Sequence, residues 1–417
     1  MDGLSASSLL LSHSMVMKYC SYMTTIEAGM EVDQQRPEAT TQFTLRLDDE
    51  REAPGFNPNR LAVARRRRGM TKTDLASEVG LELRTISAYE AGEFKPSTKA
   101  VADLGRVLKF PVAFFFGEDL NEPTPDTASF RAQSKMNAWQ RDMALSQGAI
   151  ALHLNSWLEK RFELPHPDIP EIGRDQSPEA AAEALRREWG LGVGEVRNTV
   201  HLLESKGVRI FALSVKAKEV DAFSMWRGGT PFVFLNTQKT AEHSRFDAAH
   251  ELGHLVLHRH AAPQGRQAEK EADAFASAFL MPRASVLAHA PKFTTTETLV
   301  RLKKIWSVSA AALAYRFHTL KILSDWHYRT IYVELSKRGY TKNEPDPGRH
   351  EASQLLAKAF SALQEEGITR QQVAKDLCVN MTELDDLLLG LAFGRVDGGK
   401  QLGAQGPLER RNLIRVK

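Results

Sequence analysis

The sequence predicts an α+β chain that is mainly α. An all-α helix-turn-helix domain comes first, then a domain of helices around a small three-stranded sheet, then a helical C-terminal region. Three observations predict this. Two short helical stretches with apolar faces are joined by a Gly turn between Thr71 and Gly92. Three apolar runs bounded by turn residues lie between Gly207 and Asn236. A longer helical pattern, Ala241 to His258, carries His-Glu-x-x-His and precedes a second helical stretch over 267–281.

Composition bounds what the chain can be. Its 417 residues, 42% hydrophobic and 26% charged, suit two or three globular domains. No segment approaches the ~18 apolar residues of a membrane span. Leu9-Leu10-Leu11 is too short for a secretory signal and follows no basic run. The only cysteines, Cys20 and Cys378, stand far apart, which suits a reducing cytoplasm and excludes a thiolate metal cluster. The net charge of +3 says little, so its distribution decides.

Taken in order, residues 1–56 show no sustained period and read as a disordered extension, with Met15, Met17, Met23 and Met30 leaving the translation start open. Between Asn57 and Gly117 eleven Lys and Arg face six Asp and Glu, a net of +5. Arg65-Arg66-Arg67-Arg68 ends a first helix, and Gly69 breaks it. Thr71 and Asp74 start a second helix with a capping box, running to Val79. Gly80 makes the turn, and Leu81 to Tyr89 forms a third helix stopped at Gly92, with Leu75, Ala76, Val79, Ile86 and Tyr89 facing inward. Thr71 to Ala76, Ile86 to Gly92 and Lys95-Pro96-Ser97 resemble the phage-repressor (Cro/C1 or XRE) type. In such folds the start of the third helix reaches base edges, which offers Glu82, Arg84, Thr85 and Ala88 to double-stranded DNA, with Arg84 as the guanine reader. Lys72, Ser87 and Lys95 are placed to touch phosphates, and the arginine run to add salt-sensitive affinity. The alternatives are solvated charge at a helix C-terminus and a protein-docking module of the same fold.

Val112 to Phe116 reads as a helix end sealing this small domain. Glu118 to Ser129, acidic and with two prolines, reads as a linker. Ala138 to Phe162 reads as one long amphipathic helix whose Trp139 and Trp157 are packing residues. Ser177-Pro178 starts a helix ending at Gly190, and another runs from Val196 to Ser205. Strands follow at 207–213, 222–226 and 231–236, the last two joined through Gly228-Gly229. Trp226 beside that hairpin reads as core or as a substrate wall. Helices are expected at 296–305 and 309–320, where Tyr315, Arg316 and His318 are candidate oxyanion partners. Gly367 to Leu388 repeats the layout of Gly69 to Ile86, but Glu383, Asp385 and Asp386 would repel phosphate, so it reads as packing or protein contact.

The chemistry concentrates in His250-Glu251-Leu252-Gly253-His254. Residues four apart on a helix share a face, so both imidazoles can address one metal ion while Glu251 reaches a water there. A single helix cannot wrap a metal, which makes His258 a poor ligand and requires a second helix. Glu269 and Asp273, four apart, share a face: one carboxylate suits the metal, the other the outer N–H of a ligand imidazole. Glu271, on nearly the opposite side, is an alternative ligand.

Asp247 to His258, followed by Glu269 to Ala276 and Leu280-Met281-Pro282, resembles the ImmA/IrrE family of bacterial metallopeptidases, from about Ala182 to Leu335. The resemblance implies Zn²⁺ held by His250, His254 and Glu269, Glu251 as general base, and a helix-turn-helix repressor as protein substrate, cleaved to derepress genes. It also implies a gluzincin-like domain, in which a small sheet precedes the metal helix and one strand edge can hold an extended substrate. The expected organisation is therefore an extension at 1–56, the helix-turn-helix domain at 57–117 and a linker at 118–129. A metallopeptidase domain at 130–340, a degenerate helix-turn-helix-like region at 341–393 and a mobile tail at 394–417 complete it. A cytoplasmic zinc endopeptidase and transcriptional regulator is the expected function, with no membrane partner and with a homodimer allowed. The alternative is a DNA-binding transcription factor whose metal domain is a non-catalytic sensor or dimerisation platform.

Overall fold

The computed structural model of the protein describes residue 53 and residues 55–124, 128–130, 137–172, 176–213, 220–259, 265–388, 390–392 and 414–415. The expected disordered extension, up to residue 52, and most of the expected tail after 393 lie outside the described residues. The chain divides into two compact units, one running to Asn121 and including Gln371–Met381, the other comprising Glu122–Arg370 and the residues from Thr382 onward.

The first unit is all helical. Its helices are α1 (Pro58–Arg67), α2 (Lys72–Val79), α3 (Leu83–Ala91) and α4 (Thr98–Leu108), followed by a 3-10 turn at Val112–Phe116. Asn57 caps α1 through the N–H groups of Asn59 and Arg60, and the Thr71–Asp74 capping box opens α2. Gly80 and Gly92, at φ 74° and 72°, end α2 and α3 in a left-handed conformation that suits glycine. The third helix begins at Leu83, later than its expected start, because Leu81 donates its N–H back to Ala76 and completes the end of α2. Leu75, Ala76 and Ile86 are buried, Val79 and Tyr89 half-buried, and Phe110, Phe114 and Phe115 close the core with tilted and edge-on ring contacts.

The arginine run is neither a solvated stripe nor an open phosphate-binding row. Arg65 forks onto both oxygens of Glu90 at 2.6 and 3.0 Å, Arg67 is 1% exposed, and Arg68 donates to the carbonyls of Leu108 and Lys109. Arg66 donates to Ala62, one turn back. These guanidiniums tie α1 to α3 and to the end of α4. Gln371–Met381 belongs to the same unit, where the Asn380 amide donates to the carbonyl of Lys109.

The second unit is a layered α+β body. The three expected strands form as β3 (Arg209–Leu213), β4 (Ala222–Arg227) and β5 (Thr230–Asn236). Gly228 and Gly229, at φ 55° and 80°, make the tight turn of the β4–β5 hairpin. β3 runs parallel to β5 and β4 antiparallel to it; a three-residue strand, β1 (Ala128–Phe130), adds antiparallel to β4, giving the order β1-β4-β5-β3. A separate short pair joins β2 (Phe162–Glu163) to β6 (Ile414–Arg415).

Alternation along the strands sorts two faces. Phe211, Phe223 and Phe234 stack on one side, where α5 (Ala138–Glu159) crosses closely enough that a Cβ on Gly148 would meet Phe223 at 3.5 Å. α5 is buried all round from Met143 to Leu152 rather than along one stripe, so it is an interior helix and not the amphipathic one expected. Ile210, Ala212, Ala222, Val233 and Leu235 pack on the other side in the core shared with α8 (Ala241–Leu257) and α9 (Arg266–Leu280). Around these lie α6 (Pro178–Glu188), α7 (Thr199–Ser205), α10 (Arg283–His289), α11 (Thr296–Trp306), α12 (Ala310–Thr319) and α13 (Asp325–Lys337). Then follow α14 (Gln354–Glu365), α15 (Arg370–Asp376), which begins at the boundary between the units, and α16 (Met381–Leu388). Two carboxylates cap each other's helices: Glu351 accepts from the N–H groups of Thr199 and Val200 opening α7, and Glu204 from those of Gln354 and Leu355 opening α14. Arg245 of α8 is hydrogen-bonded to Glu351, which fastens the helix carrying His250 and His254 to this pair of caps.

Candidate functional site

Helix α8 is capped by the Thr240 hydroxyl and buries His250, Glu251 and His254 in its middle. The two imidazoles present Nε2 atoms 3.1 Å apart. Glu269, from the first turn of α9, brings its carboxylate oxygens to 3.2 Å from Nε2 of His254 and 3.6 Å from Nε2 of His250. These three side chains form a group in which one ligand atom each lies within 4.8 Å of the others. Burial lowers the His254 pKa to about 4, keeping the ring neutral and its lone pair available. Burial acts to raise the Glu269 carboxyl, but its closeness to both imidazoles outweighs that and holds the group well below the usual carboxylate range. Two neutral nitrogens and one carboxylate converging from two helices are the donor set that suits zinc with a position left open.

The outer atoms of both rings are held. Asp273, one turn beyond Glu269 on α9, takes Nδ1 of His250 at 2.8 Å, which leaves Nε2 as the lone-pair atom. Nδ1 of His254 lies 3.1 Å from Nδ1 of His258, whose Nε2 meets Glu271 at 3.0 Å. With Nε2 of His254 as the ligand atom, protons run outward along this chain from His254 to His258 to Glu271. Glu271, kept in the sequence reading as an alternative ligand, thus stands outside the cluster and steadies His258. Glu251 is fixed by the Ser224 hydroxyl, which donates to Oε2 at 2.6 Å from the face of β4 turned toward α8. The close approach of α8 and α9 depends on Gly253: a Cβ there would meet Cα of Ala272 at 3.2 Å and Phe275 at 3.1 Å.

Residues 203–318 match the family model of the IrrE N-terminal-like domain, a metallopeptidase-like family. This stretch of the chain is similar to an IrrE N-terminal-like domain, and is called IrrE-like below. Residues 59–113 match the family model of a helix-turn-helix domain, so the helix-turn-helix precedes the IrrE-like domain along the chain. A comparison with curated proteins gave no match.

Within the IrrE-like domain, Trp226 is half-buried and donates its indole N–H to the Leu255 carbonyl at 3.1 Å, with Arg259 over its ring at 4.0 Å. It ties the hairpin to α8. Of the three oxyanion candidates, Arg316 is buried and forked onto Glu179, and His318 bonds Asp325 and stacks on Tyr328. Tyr315 is exposed and lines a cavity of about 530 Å³ with Phe246, Lys270, Asp273, Ser277 and Ala312, next to the carboxylate that holds His250. Ser224 and the His258–Glu271 pair carried no sequence signal. The pairings of Ser224 with Glu251 and of His258 with Glu271 are set by how the sheet and two helices cross, whereas the His254–His258 contact follows from their four-residue spacing on one helix.

In the helix-turn-helix, Arg84 is 88% exposed and lies 3.6 Å from the carboxylate of the exposed Glu82. Thr85 and Ser87 are half-buried and Ala88 is buried. Lys72 lies 3.4 Å from Glu90, and Lys95 is exposed. The side chains offered outward by the start of α3 are thus Glu82, Leu83 and Arg84, while the methyl of Ala88 is turned inward.

Proposed function

We propose that the protein is a zinc-dependent endopeptidase joined to a DNA-binding helix-turn-helix, and that its substrate is a regulatory protein, a helix-turn-helix repressor being the form that family resemblance suggests. The observation that carries this reading is the convergence of His250, His254 and Glu269 beside a buried Glu251 that takes no part in the ligand group. A purely structural site has no use for such a carboxylate. His250, His254 and Glu269 would hold the metal. When bound, zinc supplies Lewis acidity that polarises a scissile carbonyl and favours water as a nucleophile near neutral pH.

The chain's own residues do the rest. Glu251 accepts a proton from the attacking water and returns it to the leaving amide nitrogen, so one carboxylate serves both half-steps. The Ser224 hydroxyl stops that carboxylate from rotating away between them. Asp273 and the His258–Glu271 pair keep the ligand rings in one orientation and one tautomer. Burial of the cluster keeps bulk water from competing for the proton. The DNA reading rests on the helix-turn-helix and on Arg84 at the open end of α3. The test is a capture experiment with Glu251→Gln, which is expected to keep about one metal ion per chain and to retain an uncleaved protein partner that the parent releases as fragments. A Glu251→Gln protein and a parent that both bind metal and leave every captured partner intact would instead favour a non-catalytic metal sensor.

A further inference from the structure

The sheet of the IrrE-like domain ends at β4 but for one addition. β1, only three residues long, pairs with β4 alone, antiparallel, with Ala128 opposite Met225, Ser129 opposite Ser224 and Phe130 opposite Phe223. The central position of this pairing is chemically distinctive. Ser224 is the residue whose hydroxyl holds Oε2 of Glu251 at 2.6 Å. The backbone of β1 therefore runs one strand spacing from the residue that fixes the proposed proton carrier. An open strand edge recruits an extended peptide through its unpaired N–H and C=O groups, and such an edge beside a hydrolytic centre suits a protein segment about to be cut.

The resemblance places an extended substrate on one strand edge; we infer that β4 presents that edge and that residues 128–130 of this chain, paired along it, act as a built-in competitor that a substrate segment must displace. A substrate then reaches Glu251 by exchanging with β1, strand for strand. This rests on the peptidase reading for its consequence, but the occupancy itself does not need turnover. A three-residue strand makes few ladder hydrogen bonds, so a longer segment gains on exchange, while a folded protein with no extended stretch gains nothing. The partner is thereby restricted to an unstructured or locally unfolded segment able to run antiparallel to 222–227. Residues 128–130, part of the second unit itself, supply the competitor, so access to the site is set by something the chain itself holds in place.

The experiment uses the full chain, metal-loaded, with Glu251→Gln as background so that no peptide is consumed. The probe is a fluorescent synthetic peptide with the sequence of residues 124–134. In one variant Ser129→Pro and Phe130→Pro together remove whichever of these two successive N–H groups is turned toward β4, and make the strand conformation unfavourable; in a second, milder one, residues 128–130 are all replaced by Gly. Vacating the edge is expected to tighten peptide binding by about tenfold or more, because an edge open only part of the time lowers apparent affinity by that fraction. Amide exchange across 222–227 is expected to quicken in both variants and to slow again when the peptide is added. Equal peptide affinity in parent and variants, or exchange at 222–227 that ignores both the substitutions and the peptide, overturns the inference. Metal content, measured on the same samples, reports separately on His250, His254 and Glu269, so failure of the metal centre and failure of the docking edge are told apart.

Discussion

At the scale of single residues, the site separates holding from reacting. Glu269 faces both imidazoles, Asp273 faces only the outer nitrogen of His250, and Glu251 faces Ser224. Glu269→Ala is expected to abolish stoichiometric metal binding, measured by elemental analysis after gel filtration. Asp273→Ala is expected to weaken it by roughly ten- to a hundred-fold, since it removes orientation and not a donor. Full metal occupancy in Glu269→Ala would move the ligand role to another side chain. The arginines divide in the same way. Arg84→Ala is expected to lower DNA affinity by about 1–3 kcal/mol and to relax specificity at one base position, with an unchanged melting temperature. Arg65→Ala leaves Glu90 buried without its forked partner and is expected to destabilise the first unit by about 3 kcal/mol. If the two variants behaved alike in thermal melts and DNA titrations, this division would be wrong. Nothing in a run of four arginines distinguishes those that bind carbonyls within the fold from those that meet solvent. The capping box at Thr71–Asp74, by contrast, was legible because both partners lie within one turn.

At the scale of elements, the spacing that makes α8 a metal helix also requires a neighbour that comes unusually close. Gly253 provides this, and Gly253→Val is expected to push α9 away, destabilising by about 1–3 kcal/mol and reducing metal affinity, because Glu269 is drawn back with it. Calorimetry with and without zinc checks both halves; a loss of stability with metal affinity intact would mean that Glu269 is held independently of the packing. A second element-level prediction concerns the reciprocal caps. Burial pushes the Glu204 carboxyl up to about 7, outweighing the hydrogen bonds it accepts from Ser353, Leu355 and Gln354. The folded state then binds a proton that the unfolded chain has already released above pH ~4.5, so stability falls as pH rises from there through about 7. Glu204→Gln keeps an acceptor for the N–H groups of α14 and is expected to flatten that fall in denaturant titrations at pH 5 and 8. Helices with strong caps and strands that are apolar runs bounded by turn residues were readable one at a time. β1 was not, since three residues carry no period, and α5 lacks the expected apolar stripe because it is buried on every side from Met143 to Leu152.

At the scale of the whole molecule, a helix-turn-helix fold and a metallopeptidase-like fold share one chain, and the arrangement expected to follow from the proposed function is that the first delivers the second to its target. Arg84→Glu in the full-length protein is expected to leave cleavage of a short unfolded peptide unchanged while lowering kcat/KM on the physiological target, since tethering raises effective concentration without altering chemistry. Equal rates on the physiological target at sub-saturating concentration would leave the helix-turn-helix as an independent regulator. Among the described residues no helix is long and apolar enough to cross a membrane.

The first unit also has a history built into it. It is assembled from two stretches of sequence, one ending at Asn121 and the other at Gln371–Met381, about 250 residues apart. During synthesis at 5–20 residues per second, the early helices wait roughly 12–50 s for their last segment to leave the ribosome. For that interval a nascent chain holds four formed helices and an unfinished surface at the end of α4, where Asn380 will later bond Lys109. Contacts this distant in sequence close slowly because of the loop entropy they must overcome. The unit that holds the helix-turn-helix is therefore closed only after His250, His254 and Glu269 have been synthesised, so a truncated product of an interrupted message would carry that unit without its last segment.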